Sequence, residues 1–166
     1  MRSVTLRVLV VLLGVSVVAT TAQAQRRRAR PSAAAVGRPH LGGHLGYNFD
    51  VDELLLGAQL SYPITPRLDL YPSFDYYFVS SPASLWSLNF DVKYRPPTRY
   101  GAFYVGGGIN YSHASVSGVG GSDTNLNLLA GFERVWRARV RPYIETKLIL
   151  GDGSSFQIVG GMSWAL

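Results

Sequence analysis

From His40 to Leu166 the chain alternates apolar and polar residues with a period of two, and the pattern recurs about eight times. The last eleven residues are the clearest instance. Phe156, Ile158, Met162, Trp164 and Leu166 fall on one face of an extended strand, and Gln157, Gly161, Ser163 and Ala165 on the other. A water-soluble domain rarely ends on an exposed row of large apolar side chains. A strand facing lipid requires one, and it must close with its neighbours so that no backbone group stays unpaired.

The alternation places strands near 40–49, 53–62, 68–78, 85–95, 100–111, 124–133, 140–150 and 156–166. One face carries Leu41, Leu45, Leu54, Leu56, Leu70, Phe74, Phe90, Val92, Ile109, Leu126, Leu128 and Leu148. The other carries His44, Asn48, Gln59, Ser61, Asp69, Ser73, Asp75, Ser87, Asn89, Asp91, Lys93, Asn110, Asn125, Asn127, Glu133, Arg141, Glu145 and Lys147. A soluble barrel of the lipocalin kind puts its polar face outward around an apolar pocket. Here charge is concentrated on the face that a closed barrel turns inward, so the expected fold is all-β: an eight-stranded antiparallel up-and-down transmembrane β-barrel, preceded by a signal peptide. Helical readings fail because the 18 glycines and 9 prolines punctuate a period of two. Pro72 falls inside the third strand, where a bulge or a shifted strand start is expected.

The connections give the expected orientation. Those at 63–67, 95–99 and 135–139 are tight and rich in Pro or Arg, whereas 79–84 and 112–123 are rich in Ser and Gly. Barrels of this kind have short periplasmic turns and longer outer loops. Both termini are then periplasmic, with Arg67, Arg95, Arg99, Arg134, Arg137 and Arg139 at that rim and Asp50, Asp52, Glu53, Asp123 and Asp152 at the outer one. Aromatic girdles are expected at both levels: Tyr62, Tyr94, Phe103, Phe132 and Trp164 inside; Phe49, Tyr76, Phe78, Trp86, Tyr111 and Phe156 outside.

Arg2 and Arg7 precede an apolar run from Val8 to Val18, and Ala22-Gln23-Ala24 supplies small residues for signal peptidase, so residues 1–24 read as a cleaved signal peptide. Residues 25–39, with Arg26, Arg27, Arg28, Arg30 and Arg38, read as a basic flexible periplasmic tail, leaving 40–166 as the barrel domain. The formal charge of +6 resides in that leader and tail: from His40 onward nine Lys and Arg face ten Asp and Glu. No basic folded face remains to hold nucleic acid. The chain has no cysteine, so it has neither a disulfide framework nor thiol chemistry.

The leader, the eight alternating strands, the short turns and the terminal Gly160-Gly161-Met162-Ser163-Trp164-Ala165-Leu166 resemble the small outer-membrane β-barrel superfamily, the OmpA-type transmembrane domain and its OmpX/Ail-like relatives, over residues 40–166. The resemblance implies residence in outer-membrane lipid and a last strand read by the barrel-insertion machinery, with Trp164 and Leu166 as the assembly signal. That family usually ends on an aromatic residue, and Leu166 departs from this. A monomer is expected.

Two candidate sites follow. Asp69, Asp75, Asp91, Glu133 and Glu145 share the inward face with Lys93, Arg141 and Lys147, and ions there must pair or stay hydrated. Eight strands enclose only room for side chains, so a salt-bridged plug is expected; a narrow conduit gated by those pairs is the alternative. Ser112, His113, Ser115 and Asp123 lie in the longest expected outer loop, the candidate for recognising a surface ligand. The same residues suggest a lipid-modifying enzyme as a second alternative, but a Gly/Ser loop lacks the rigid support a nucleophile–base pair needs. Asp50, Asp52 and Glu53 fall short of a calcium loop. His40 and His44 lack further metal ligands, and Gly106-Gly107-Gly108 has no following helix to cradle phosphate. The reading is a non-catalytic structural or surface-interaction protein without cofactor.

Overall fold

The computed structural model describes residues 37–97, 102–134 and 139–166. The expected signal peptide, most of the basic tail, Arg99 and Arg137 lie outside the described residues. Eight strands follow in order: β1 (His40–Asn48), β2 (Glu53–Thr65), β3 (Leu68–Tyr77), β4 (Ala83–Tyr94), β5 (Ala102–Val116), β6 (Val119–Glu133), β7 (Val140–Leu150) and β8 (Ser155–Ala165). Each pairs antiparallel with the next, and β1 also pairs with β8 from His40↔Ala165 to Asn48↔Gln157, which closes the barrel. Beyond the last strand the Leu166 amide still donates to the Pro39 carbonyl at 2.9 Å.

The barrel is inside out relative to a water-soluble protein. Leu45 and Phe90 are 63% and 64% exposed, whereas Asp91 and Lys93 are 1% and 3% exposed. Because successive side chains on a strand alternate faces, one phase per strand sets this for the whole wall. The exterior row runs through Leu41, Leu54, Leu70, Phe74, Ile109, Leu126, Leu128 and Ile144. Both expected aromatic levels lie on it. At one level Phe49 packs on Phe156 with centroids 5.6 Å apart, and Trp86 lies between Phe74 and Tyr111.

Pro72 causes no bulge. The β3–β4 ladder runs unbroken through Pro72↔Phe90, while the β2–β3 ladder stops at Gln59↔Ser73 and resumes in the same register at Tyr62↔Leu70. A missing N–H removes ladder bonds locally without shifting the strand. The register shift falls instead at Pro63/Thr65, beside the turn.

The connection expected to be a long loop is a tight hairpin. Strands β5 and β6 continue past the expected limits to Val116↔Val119, with Ser112↔Asp123 as an ordinary ladder pair. Ser117 and Gly118 turn the chain with φ of 53° and 84°. Positive φ at both central residues is the two-residue geometry whose twist matches that of paired strands. The β6–β7 ladder begins only at Leu126↔Leu150, so residues 119–125 project past β7 with a strand partner on the β5 side alone. The β5–β6 hairpin marks one end of the barrel, the hairpin end, and the chain termini mark the opposite one, the terminus end.

Candidate functional site

Strands β4 and β7 run antiparallel on opposite sides of the barrel. Asp91 and Lys93 are two residues apart on the inward face of β4, and Glu145 and Lys147 are two apart on that of β7. The opposed directions put Lys93 Nζ 2.8 Å from Glu145 Oε2 and Lys147 Nζ 3.1 Å from Asp91 Oδ2. Two ion pairs, one above the other, therefore brace the interior. The Lys93 ammonium also lies 3.1 Å from the Tyr71 ring centroid and 4.1 Å from that of Tyr104, whose hydroxyl donates to Glu145 Oε2 at 2.9 Å. The rings supply part of the stabilisation that water no longer gives the buried cation.

The other charges sit on either side of this brace. Towards the terminus end, Arg95 Nη1 lies 2.5 Å from Asp69 Oδ2 while its Nε and Nη2 form a fork on Glu133 at 3.0 and 3.2 Å. Arg141 Nη1 reaches the same Glu133 at 3.3 Å, and Ser61 donates to Asp69. Towards the hairpin end, His44 sits between Gln59 Oε1 at 2.6 Å and Asp75 Oδ1 at 2.7 Å, and Asn89 donates to Asp75 Oδ2 at 2.9 Å. All eight charged residues singled out in the sequence thus lie in one inward-facing system. Arg95, expected at the rim, turns inward and joins it. Forked Arg–carboxylate pairing satisfies buried ions better than a single contact.

Sequence reading missed the inward aromatics Tyr71, Tyr77, Tyr104 and Tyr143. They stand in phase with the polar face, and glycines paired with them on the neighbouring strands make room: a Cβ on Gly131 would strike the Tyr104 ring, and one on Gly161 the Tyr143 hydroxyl. The Tyr77 hydroxyl donates to Gln157 at 3.0 Å and that of Tyr143 to Gln59, each spanning the interior. Inward glycines between charged residues were the available signal.

The candidate recognition residues divide by face. Ser112 and Asp123 line a cup inside the mouth of the hairpin end. His113 lies against the Trp86 ring, centroids 5.4 Å apart, and Ser115 meets Ser84 across β4 and β5 at 3.4 Å. His113 Nδ1 is 2.8 Å from Ser122 Oγ, which also accepts from the Tyr111 hydroxyl at 2.9 Å. No carboxylate orients this histidine among the described residues, and the pair is exposed, which is poor support for nucleophilic chemistry. Asp50 and Asp52 serve the β1–β2 turn: Asp50 Oδ2 accepts from the Phe156 amide at 2.6 Å and Asp52 accepts from the Tyr47 hydroxyl. Trp164 lies on the exterior, paired with Leu41 and Val140, and Leu166 ends the seam.

No family model matches the sequence, and no curated protein matches it. Solved structures do. The N-terminal β-barrel domain of Pseudomonas aeruginosa OprF superposes with a TM-score of 0.60 at 15% identity, covering 77% of this chain and 96% of that one. The fold is that of the small eight-stranded outer-membrane β-barrels. Ail, the attachment invasion locus protein of Yersinia pestis, matches with a TM-score of 0.54 at 15% identity over 78% of this chain and 97% of its own. A de novo designed transmembrane β-barrel matches as well, with a TM-score of 0.55 at 14% identity over 79% and 97%. A designed sequence shares this fold without having evolved for any task, so function must be argued from this chain's own residues.

Proposed function

We propose that the protein resides in the outer membrane as a sealed, non-catalytic barrel whose role is structural or one of surface interaction, presented through the β5–β6 hairpin. The apolar exterior and the closed ring of paired strands match the demands of lipid, where backbone groups must be satisfied within the protein. The termini then lie on the periplasmic side and the hairpin end outside; the β5–β6 hairpin that projects past the wall supports this, whereas the connections expected to be tight at 95–99 and 135–139 are the longer ones between strands.

The observation that carries the interaction reading is the free edge of β6 over residues 119–125. An unpaired strand edge is a template for an added strand, and proteins normally cover or blunt one. The hairpin tip is also apolar, with Val119 80% exposed beside Val116. The character of a partner is narrowed by charge. The hairpin end carries Asp50, Asp52, Glu53, Asp123 and Asp152 and no lysine or arginine. A polyanion such as the heparin analogue bound by Ail in one of its structures has nothing to pair with here.

The plugged interior argues against the passive pore, since the Lys93–Glu145 and Lys147–Asp91 pairs span the interior that ions would need. The test joins both points. A Val119→Cys variant, in a chain otherwise free of cysteine, should react with a membrane-impermeant maleimide on intact cells, and the purified barrel should not conduct in planar bilayers. Protection of Val119→Cys from the reagent on intact cells would overturn the orientation, and steady conductance would favour the pore.

A further inference from the structure

Inside the mouth of the hairpin end lies a half-open cup of about 360 Å³. We propose that it is a binding site for a small neutral saccharide, on the inner side of the mouth, with a wall that shares Asp123, Thr124 and Asn125 with the β6 edge. Its volume is within the range of sites that hold small organic ligands, about 300–1,000 Å³.

The lining sets the chemistry. Asn48, Asn110 and Asn125 present amides, which offer both donors and acceptors, as the hydroxyls of a sugar require. Tyr77 and Ile149 add apolar surface for the C–H face of a pyranose ring. Asp123 and Asp152 line the cup, and no lysine, arginine or histidine does. An anionic ligand would meet carboxylates without a counter-charge.

A second observation shows that the cup is not fully satisfied by its own walls. Ser87 lines it, is 1% exposed, and its hydroxyl makes no well-formed hydrogen bond, only a loose approach to the Tyr77 hydroxyl. A buried hydroxyl without a well-formed bond is costly, and a ligand hydroxyl would satisfy it. The floor is firm. Asn89 Oδ1 accepts from both Asn110 and Asn127 at 2.9 Å, so the Asn110 amide is already oriented before a ligand arrives.

The test uses the full chain folded in nanodiscs, with the side-chain amide signals of Asn48, Asn110 and Asn125 followed by NMR. The probes are methyl β-D-glucopyranoside, methyl β-D-galactopyranoside and N-acetylglucosamine, with tetramethylammonium and inorganic phosphate as charged comparators. At least one neutral sugar should give a saturable shift with a Kd of about 1 mM. Ser87→Leu, which fills the cup, and Asn125→Leu at its half-buried wall should each weaken that binding at least tenfold while keeping the heat-dependent gel mobility of a folded barrel. If Ser87→Leu does not fold, Asn125→Leu decides alone. The proposal is overturned if no neutral sugar gives a saturable shift, if tetramethylammonium or phosphate binds in their place, or if the folded variants bind the sugar unchanged.

Discussion

Lys93 and Glu145 meet across the barrel interior, Nζ to Oε2 at 2.8 Å, from strands that are not neighbours in the sheet. Backbone pairing fixes only adjacent strands, so this contact ties opposite walls together. Its strength lies in mutual dependence: each ion is buried, and removing one strands the other.

Lys93→Met should therefore destabilise the barrel by about 3–5 kcal/mol, and Glu145→Gln by a comparable amount, whereas Lys93→Met combined with Glu145→Gln should recover most of the loss. Urea unfolding of the barrel in lipid vesicles measures all three. Simple addition of the two single effects would show that the residues do not act as a pair.

Pro72 interrupts the β2–β3 ladder while leaving the register intact. Pro72→Val restores an N–H to an exterior strand position and should stabilise the barrel by about 0.5–1.5 kcal/mol, the worth of one hydrogen bond. The same unfolding experiment checks it, and a loss of stability would mean that the gap has another cause.

At the hairpin tip, Gly118 sits at φ 84° with open space around it, so a side chain there meets backbone strain rather than a clash. Gly118→Ala should cost about 1–2 kcal/mol, confined to the hairpin. Hydrogen exchange should then quicken over residues 112–123 and stay unchanged in β1, β2 and β8. Faster exchange throughout would contradict a locally independent hairpin.

Removal of Trp164-Ala165-Leu166 deletes the end of the β1–β8 seam and, on the assembly reading, the insertion signal. Outer-membrane yield in cells should collapse, while the purified truncated chain should still refold into detergent with reduced stability. Equal loss in both settings would reduce the segment to a packing role.

The fold was legible in the sequence because one physical rule, the alternation of faces, repeats in every strand. Leu126 and Leu128 against Asn125 and Asn127 show it within four residues. The inward charges Asp91, Lys93, Glu145 and Lys147 were legible for the same reason, but their partners were not, since pairing across the interior depends on strand direction and tilt. Arg95, just past β4, reads as a turn residue at the rim, whereas its long side chain reaches back to Asp69 and Glu133. The hairpin reads as a loop in the sequence because Gly and Ser side chains give no alternation. Val116-Ser117-Gly118-Val119, a turn pair between β-branched residues, was the signal that marked it.

The apolar exterior of the barrel faces lipid while charge is sealed inside. Single cysteines at Leu45, Phe90 and Leu128, each carrying a fluorophore in a chain without native cysteine, test it by quenching in bilayers of brominated lipid. Strong quenching by the bromines and weak quenching by aqueous iodide are expected at all three positions, with the reverse for a label at Val119. Iodide quenching at Leu45, Phe90 and Leu128 equal to that at Val119 would show that water, not lipid, surrounds the wall.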